Sequence, residues 1–163
     1  EFRRVLFRSD HLQAIEYAPC FSVLAVLSEE SAIPHPGGLW LNGNPLSWIA
    51  DNHKKGISPA SHAVTIHAGP EYSAHHFESD REGVAREMLV AAKPYIGAEI
   101  KTFQIHRWKF ATPLKTFGTP YFFSDVAGPL FFAGDSFGGT RVEGAALSGM
   151  EAANAIVEWS TSQ

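Results

Sequence analysis

The chain has 163 residues, of which 45% are hydrophobic and 18% charged, with a net charge of −4. That length suits one domain with a real core, and the scattered Lys and Arg exclude a basic nucleic-acid surface or an anionic-membrane surface. Its single cysteine, Cys20, excludes an internal disulfide and any multi-cysteine metal site.

The charged fraction falls below the roughly 25% usual for soluble domains. Twelve Phe, four Trp and four Tyr point the same way. Either the core is large, or some apolar surface belongs against something outside this chain. Apolar runs such as Val23–Leu27 fall far short of the roughly 20 residues a membrane helix needs. These features describe a soluble protein of a reducing compartment, the cytoplasm.

The chain starts at Glu1 rather than Met, and Val5-Leu6-Phe7-Arg8-Ser9 resembles the translation of a sequencing-adapter tail. Glu1–Ser9 is therefore read as an assembly artefact and set aside from the fold. The alternative is a genuine basic strand or targeting segment. Asp10 and Glu16 follow with no apolar stretch before them, which argues against a signal peptide. On the artefact reading, the natural protein continues upstream.

Phe21–Ser28 is apolar and β-branched, and predicts a buried strand. Ile33–Gly38, with two prolines and two glycines, predicts a loop. Short strands are expected at Leu46–Ala50, before the polar turn Asp51–Gly56, and at His62–Ala68, before Gly69-Pro70. Ser79 with Glu82 fits a capping box. The helix behind it, near 80–93, places Val84, Met88, Leu89 and Ala92 on one face and ends near Pro94 and Gly97.

Glu99–Ala111 alternates as a long strand with two usable sides. Ile100, Thr102, Gln104, His106, Trp108 and Phe110 share one side; Lys101, Phe103, Ile105, Arg107 and Lys109 share the other. Leu130–Ala133 predicts a further buried strand and Arg141–Trp159 a closing helix. Strands in the middle and a strand–loop–helix unit at the end predict an α+β fold.

Pro129–Ile156 combines a strand, a carboxylate at its C-terminal end, a glycine pair and a helix rich in small residues. Glycine in a helix costs about 1 kcal/mol against alanine, so Gly144 and Gly149 ask for a packing or binding reason. The helix start offers N–H groups and a positive dipole end to an electron-rich oxygen. Asp135, just ahead of it, can accept from a ribose-like hydroxyl. The plainer reading is an Ala-rich helix packed on a sheet, with Asp135 as a loop acceptor.

Gly134-Asp135-Ser136-Phe137-Gly138 also fits G-x-S-x-G, the nucleophile elbow of a serine hydrolase. That reading needs a downstream histidine, and the last histidine is His106. A triad with its histidine upstream stays open, as does a non-catalytic α+β binding domain.

The eight histidines give no metal spacing. His62 and His67 are expected on opposite strand faces, and His75-His76 in a loop. No metal site is expected. Cys20 beside Pro19 reads as a small buried hydrophobe.

The C-terminal segment resembles the FAD-binding motif of the flavin amine oxidase superfamily, in its bacterial renalase-like form. The match runs through Gly134-Asp135, Gly139, Arg141-Val142-Glu143-Gly144-Ala145, Ser148-Gly149 and Ala152-Ala153. His106–Ala111 resembles that family's H-R-W-x-[YF]-A strand. Trp48–Asn52 with Lys54-Lys55-Gly56 resembles its tryptophan strand and basic turn. The likeness covers roughly Tyr17 to Ile156.

The resemblance implies an FAD-dependent oxidoreductase that passes a hydride from a small organic substrate, such as an amine or a reduced nicotinamide, to flavin. Residues 10–125 would form a strand-rich substrate domain. Residues 126–163 would supply the last strand and helix of a Rossmann-like FAD-binding domain. Gly134, Asp135, Gly139, Arg141, Val142 and Glu143 would contact the cofactor: Asp135 at its ribityl or phosphate part, the Val142 and Glu143 N–H groups at the flavin edge. There a helix end would stabilise charge on the reduced ring. Trp48, His106 and Trp108 would line the substrate cavity, with Lys54 or Lys55 near the flavin. Such enzymes open on a strand–GxGxxG–helix unit, and no GxGxxG occurs here. This chain is thus expected to need an N-terminal FAD-binding segment as its partner, and to neither retain FAD nor turn over substrate alone.

Overall fold

The computed structural model describes residues 10–41, 44–126 and 128–162, so the expectation for Glu1–Ser9 lies outside the described residues. The fold is α+β. It divides into two compact units, Ala18–Ala111 and a second made of the residues through Tyr17 with Thr112–Gln163.

The first unit is built on a five-stranded sheet in the order β2-β3-β4-β1-β5. Its strands are β1 (Glu16–Leu27), β2 (Gly38–Trp40), β3 (Leu46–Asp51), β4 (Ala63–Ala68) and β5 (Ile100–Lys115). The pairs β1–β4, β2–β3 and β3–β4 are antiparallel. Period-two alternation explains its inner face: Phe21, Val23, Ala25 and Leu27 of β1 and Val64, Ile66 and Ala68 of β4 are all 2% exposed or less. A register shift between Leu46 and Trp48 lets Leu46 and Ile49 both point inward along β3. β2 lies where the sequence predicts only a loop up to Gly38. Its Leu39 pairs with Ile49, and the gain comes from tertiary pairing that short local patterns do not show.

Two helices cover the inner face. Helix α2 (Pro70–His75) is missed by the sequence reading, although Pro70 at its first position and Glu71 behind it are start signals. His75 closes this helix and His76 is its C-cap, so the expected loop placement of the pair is corrected. Helix α3 (Arg81–Ile96) is capped by Asp80, not Ser79: the Gly83 N–H donates to Asp80 Oδ2 at 2.7 Å. It runs through Pro94 and stops at Gly97, whose φ of 70° is the left-handed cap that glycine adopts without strain. Ala85, Met88, Ala92 and Ile96 are completely buried. Each large apolar side chain so buried stabilises the unit by about 1.5–3 kcal/mol.

The second unit holds α1 (Asp10–Gln13), the hairpin β6 (Phe122–Ser124) and β7 (Leu130–Phe132), the short α4 (Asp135–Gly138) and the 20-residue α5 (Val142–Thr161). Phe122 pairs with Phe132 and Phe123 with Phe131. Phe117 bridges one side of that hairpin to α4, with its ring 5.2 Å from both Phe122 and Phe137. The sequence reading finds β7 and α5 within two residues and misses β6.

Candidate functional site

The C-terminal motif folds into a sharp turn between β7 and α5. Gly134 and Gly139 bracket α4 with φ of 147° and 130°, backbone conformations that side chains oppose. The Gly134 N–H donates to Ser148 Oγ at 2.8 Å, and that hydroxyl donates to the Pro120 carbonyl at 2.6 Å. Ser148 has no solvent exposure. A buried hydroxyl satisfied on both sides fixes the turn against α5. The small helical residues of α5 are thereby explained in part by packing: an added Cβ on Gly144 would lie 2.7 Å from the Gly139 Cα.

Asp135 sits at the start of this turn, half-exposed. Its Oδ1 accepts a 2.9 Å hydrogen bond from the Tyr17 hydroxyl. Burial raises the Tyr17 pKa; the Ser136 hydroxyl bond opposes the shift, while the Asp135 bond and charge add to it. The phenol therefore stays protonated and remains a donor to the carboxylate. Ser136 is 5% exposed, bonded to Tyr17 rather than to a histidine base, and its carbonyl accepts from Phe117 N–H at 2.7 Å.

Arg141, Val142 and Glu143 follow at the mouth of α5, all exposed. Arg141 precedes the helix without a side-chain cap. The helix thus presents its first N–H groups and positive dipole end beyond the turn. The expected cofactor residues Gly134, Asp135, Gly139, Arg141, Val142 and Glu143 are gathered within this one strand–turn–helix.

In the sheet unit, the side opposite α3 carries the expected cavity residues. Trp48 pairs with Trp40 across β2 and with His67 across β4, and His67 pairs with Ser22 of β1. These four share the outer face, since their neighbours Ile49, Ile66 and Val23 point to the core. On β5, Phe103 and Ile105 pack on the core, so His106 and Trp108 also point outward. Their rings lie 6.3 Å apart, and Trp108 is 56% exposed. Trp48 and the β5 pair are separated by three strand spacings, roughly 14 Å. They share a face without forming a single contact cluster. Grooves elsewhere on this unit, such as that between α3 and β5 lined by Glu82, Leu89 and Phe103, contain none of them.

His67 belongs to this face, and the sequence reading does not single it out as a cavity residue. Burial pushes its pKa down, which favours the neutral ring. The alternation of His62–Ala68 places it opposite Ile66, the one available signal. Tyr17 carries no signal at all: only the fold brings it across 118 residues to Asp135.

Lys54 is neither free nor solvated. Its Nζ donates to the Ser31 and Ile33 carbonyls at 2.7 Å each and pairs with Glu30 at 3.2 Å. Beside it Asp51, 1% exposed, accepts from the Ser31 hydroxyl at 2.5 Å and from the Lys54 N–H at 2.9 Å. Burial alone would raise the Asp51 pKa. The Ser31 hydroxyl, the backbone N–H groups of Lys54 and His53 and the Lys54 charge outweigh it and hold the carboxyl below its usual range. The basic turn is thus a structural tie between two loops. Cys20 is partly buried, with its Sγ directed at the Phe21 and Ala68 carbonyls and its pKa pushed up by burial. Among the described residues no three His, Cys, Asp or Glu side chains gather as a metal cage. No helix among them is long and apolar enough to cross a membrane.

The model of the flavin containing amine oxidoreductase family matches residues 8–157. The chain belongs to that family. It also shares its fold with solved structures. A protein named as a protoporphyrinogen oxidase from Exiguobacterium sp. 255-15 superposes with a TM-score of 0.70 at 15% identity, covering 96% of this chain and 39% of that one. An oxidoreductase from Methanosarcina mazei superposes with a TM-score of 0.62 at 19% identity, covering 94% of this chain and 37% of that one. The chain therefore spans under two-fifths of the length of these two relatives.

Proposed function

We propose that this chain is the substrate-side sheet and the C-terminal flavin-binding turn of a renalase-like, FAD-dependent oxidoreductase. The whole protein would take a hydride from a small organic substrate, an amine or a reduced nicotinamide. Family membership over residues 8–157 supports the flavin. The single observation that carries the placement is the half-exposed Asp135, held by Tyr17 at the mouth of an α5 that lacks a side-chain cap.

The residues there fit such a cofactor. A carboxylate with one oxygen anchored is a ready acceptor for a ribityl hydroxyl, and charge-assisted bonds of this kind are short and strong. The N–H groups of Val142 and Glu143 suit a carbonyl oxygen at the ring edge, where the dipole opposes the build-up of negative charge there. When bound, FAD supplies the two-electron acceptor. The protein's part is to hold it, orient it and tune it.

The outer face of the sheet, with Trp48, His67, His106 and Trp108, supplies an aromatic surface with no fixed charge among these four. Such a surface holds a substrate by stacking and desolvation rather than by ion pairing. It would also exclude water from the reacting bond. A chain with one cysteine suits the cytoplasm. The hydrolase alternative is disfavoured by the burial of Ser136 and its bond to Tyr17.

The test uses the full-length protein that carries this chain. It should purify with a flavin spectrum, and anaerobic addition of reduced nicotinamide or an amine should bleach it. A full-length protein that binds no flavin would sink the proposal.

A further inference from the structure

We propose that Tyr17 is a positioning residue for the cofactor, acting through Asp135: its hydroxyl clamps one carboxylate oxygen and leaves the other to face the ligand. This rests on the flavin-binding role proposed above for Asp135. The arrangement has three parts. The Tyr17 hydroxyl donates to Asp135 Oδ1 at 2.9 Å. Ser136, the next residue in the chain, is a second side-chain hydrogen-bond partner of the same phenol. Ser136 itself is immobilised by burial and by its carbonyl's bond to the Phe117 N–H.

An aspartate at a surface turn is free to rotate about two side-chain bonds. A partner on one oxygen removes that freedom before the ligand arrives, and preorganisation of this kind strengthens binding without adding a ligand contact. Tyr17 suits the task because its ring is rigid and its hydroxyl is a single directional donor. A lysine or arginine in its place would neutralise the carboxylate and compete for both oxygens. Tyr17 lies on β1, remote in sequence from the motif, so one side chain ties the start of that strand to the turn.

The experiment is a titration of the full-length apoprotein with FAD and with lumiflavin, which lacks the ribityl chain and phosphates. The variants are Tyr17→Phe, Asp135→Ala and the pair together. Loss of a hydrogen bond to a charged group is expected to weaken FAD about tenfold in Tyr17→Phe. Lumiflavin affinity should stay as in the wild type, because a general loosening would weaken both ligands alike. Asp135→Ala should lose at least as much for FAD, and adding Tyr17→Phe to it should change nothing further.

Equal weakening of FAD and lumiflavin in Tyr17→Phe would overturn the inference, since it marks a structural role only. So would additive losses in the double variant, or full FAD affinity in Tyr17→Phe beside a weakened Asp135→Ala. Wild-type FAD affinity in Asp135→Ala would overturn the underlying assignment of Asp135 and the inference with it. Should Tyr17→Phe fold poorly, Ser136→Ala, which removes the phenol's other hydrogen-bond partner, must show a smaller loss selective for FAD. An unselective loss there counts against the clamp.

Discussion

Gly144 packs its Cα hydrogens directly onto Gly139: an added Cβ would lie 2.6 Å from the Gly139 carbonyl oxygen and 2.7 Å from its Cα. The opposing atoms are backbone, so neither side can swing away. Gly144→Ala should therefore force α4 and α5 apart and destabilise the chain by about 1–3 kcal/mol, the usual cost of overpacking. Gly149 is on the same helix, and a methyl group added there would meet nothing within 4 Å. Gly149→Ala should be neutral or stabilising by up to about 1 kcal/mol, because alanine is the better helix former. Urea midpoints of the two variants check the contrast.

That pair also marks how far the sequence reading could reach. Small residues in the closing helix announce a close approach, yet only the fold divides them into those that are buried, Gly144, Ser148 and Ala152, and those that are not. Strand alternation places His106 and Trp108 on one face correctly but misplaces Ile100, which packs on the core with Phe103 and Ile105. It fails at β2 and β6, three residues each, where pairing partners and not local pattern make the strand. The register shift beside Ser47 could not be read from Leu46–Ala50, since it depends on β4 lying opposite. Asp135 was legible as a carboxylate at a strand end. Its bond to Tyr17 was not, because it joins positions far apart in the chain.

Asp51 gives a prediction in acid. Its folded-state pKa is depressed, so it stabilises the fold above the ordinary aspartate range, near 3.9, and that stability is lost as pH falls through the lower folded value. Asp51→Asn should flatten the acid limb of the stability profile. Asp51→Ala should also leave the buried Ser31 hydroxyl and the Lys54 N–H without their acceptor, at a cost of about 1–3 kcal/mol at neutral pH. Thermal melts between pH 3 and pH 7 separate the two effects; an unchanged acid limb in Asp51→Asn would refute the assignment.

His67 acts in a different window. Burial lowers its folded-state pKa, so the neutral ring stabilises the fold above the ordinary histidine value, near 6.5, and stability declines as pH falls below that toward the folded value. His67→Gln should remove this slope while leaving the Asp51 step at lower pH in place. Melts in buffers spanning pH 5 to pH 8 read the difference directly.

Helix α5 leaves Val142, Leu147, Met150 and Val157 each more than half exposed. Contiguous exposed apolar surface of this sort recruits hydrophobic dyes. The isolated chain should therefore enhance anilinonaphthalene sulfonate fluorescence under native conditions. Leu147→Gln with Met150→Gln should lower that signal without lowering the melting temperature by more than a degree or two. A chain that leaves the dye dark would mean that this face is covered in solution.

Trp48 and Trp108 separate packing from substrate contact on the same face. Trp48 rests on Trp40 with ring centroids 4.6 Å apart and lies against the Gly38 backbone, so Trp48→Ala strips Trp40 of its ring contact and uncovers Gly38. Removing a packed tryptophan costs about 3 kcal/mol or more. Trp108 is 56% exposed, and its ring neighbour His106 is exposed too. Trp108→Ala should change stability by less than about 0.5 kcal/mol, as surface substitutions generally do. In the full-length protein, Trp108→Ala should instead raise KM for substrate several-fold with a smaller change in kcat, the mark of lost binding common to ground and transition states. If Trp108→Ala leaves KM unaltered while Trp48→Ala raises it in a fully folded enzyme, the substrate lies over β2–β3 and not over β5.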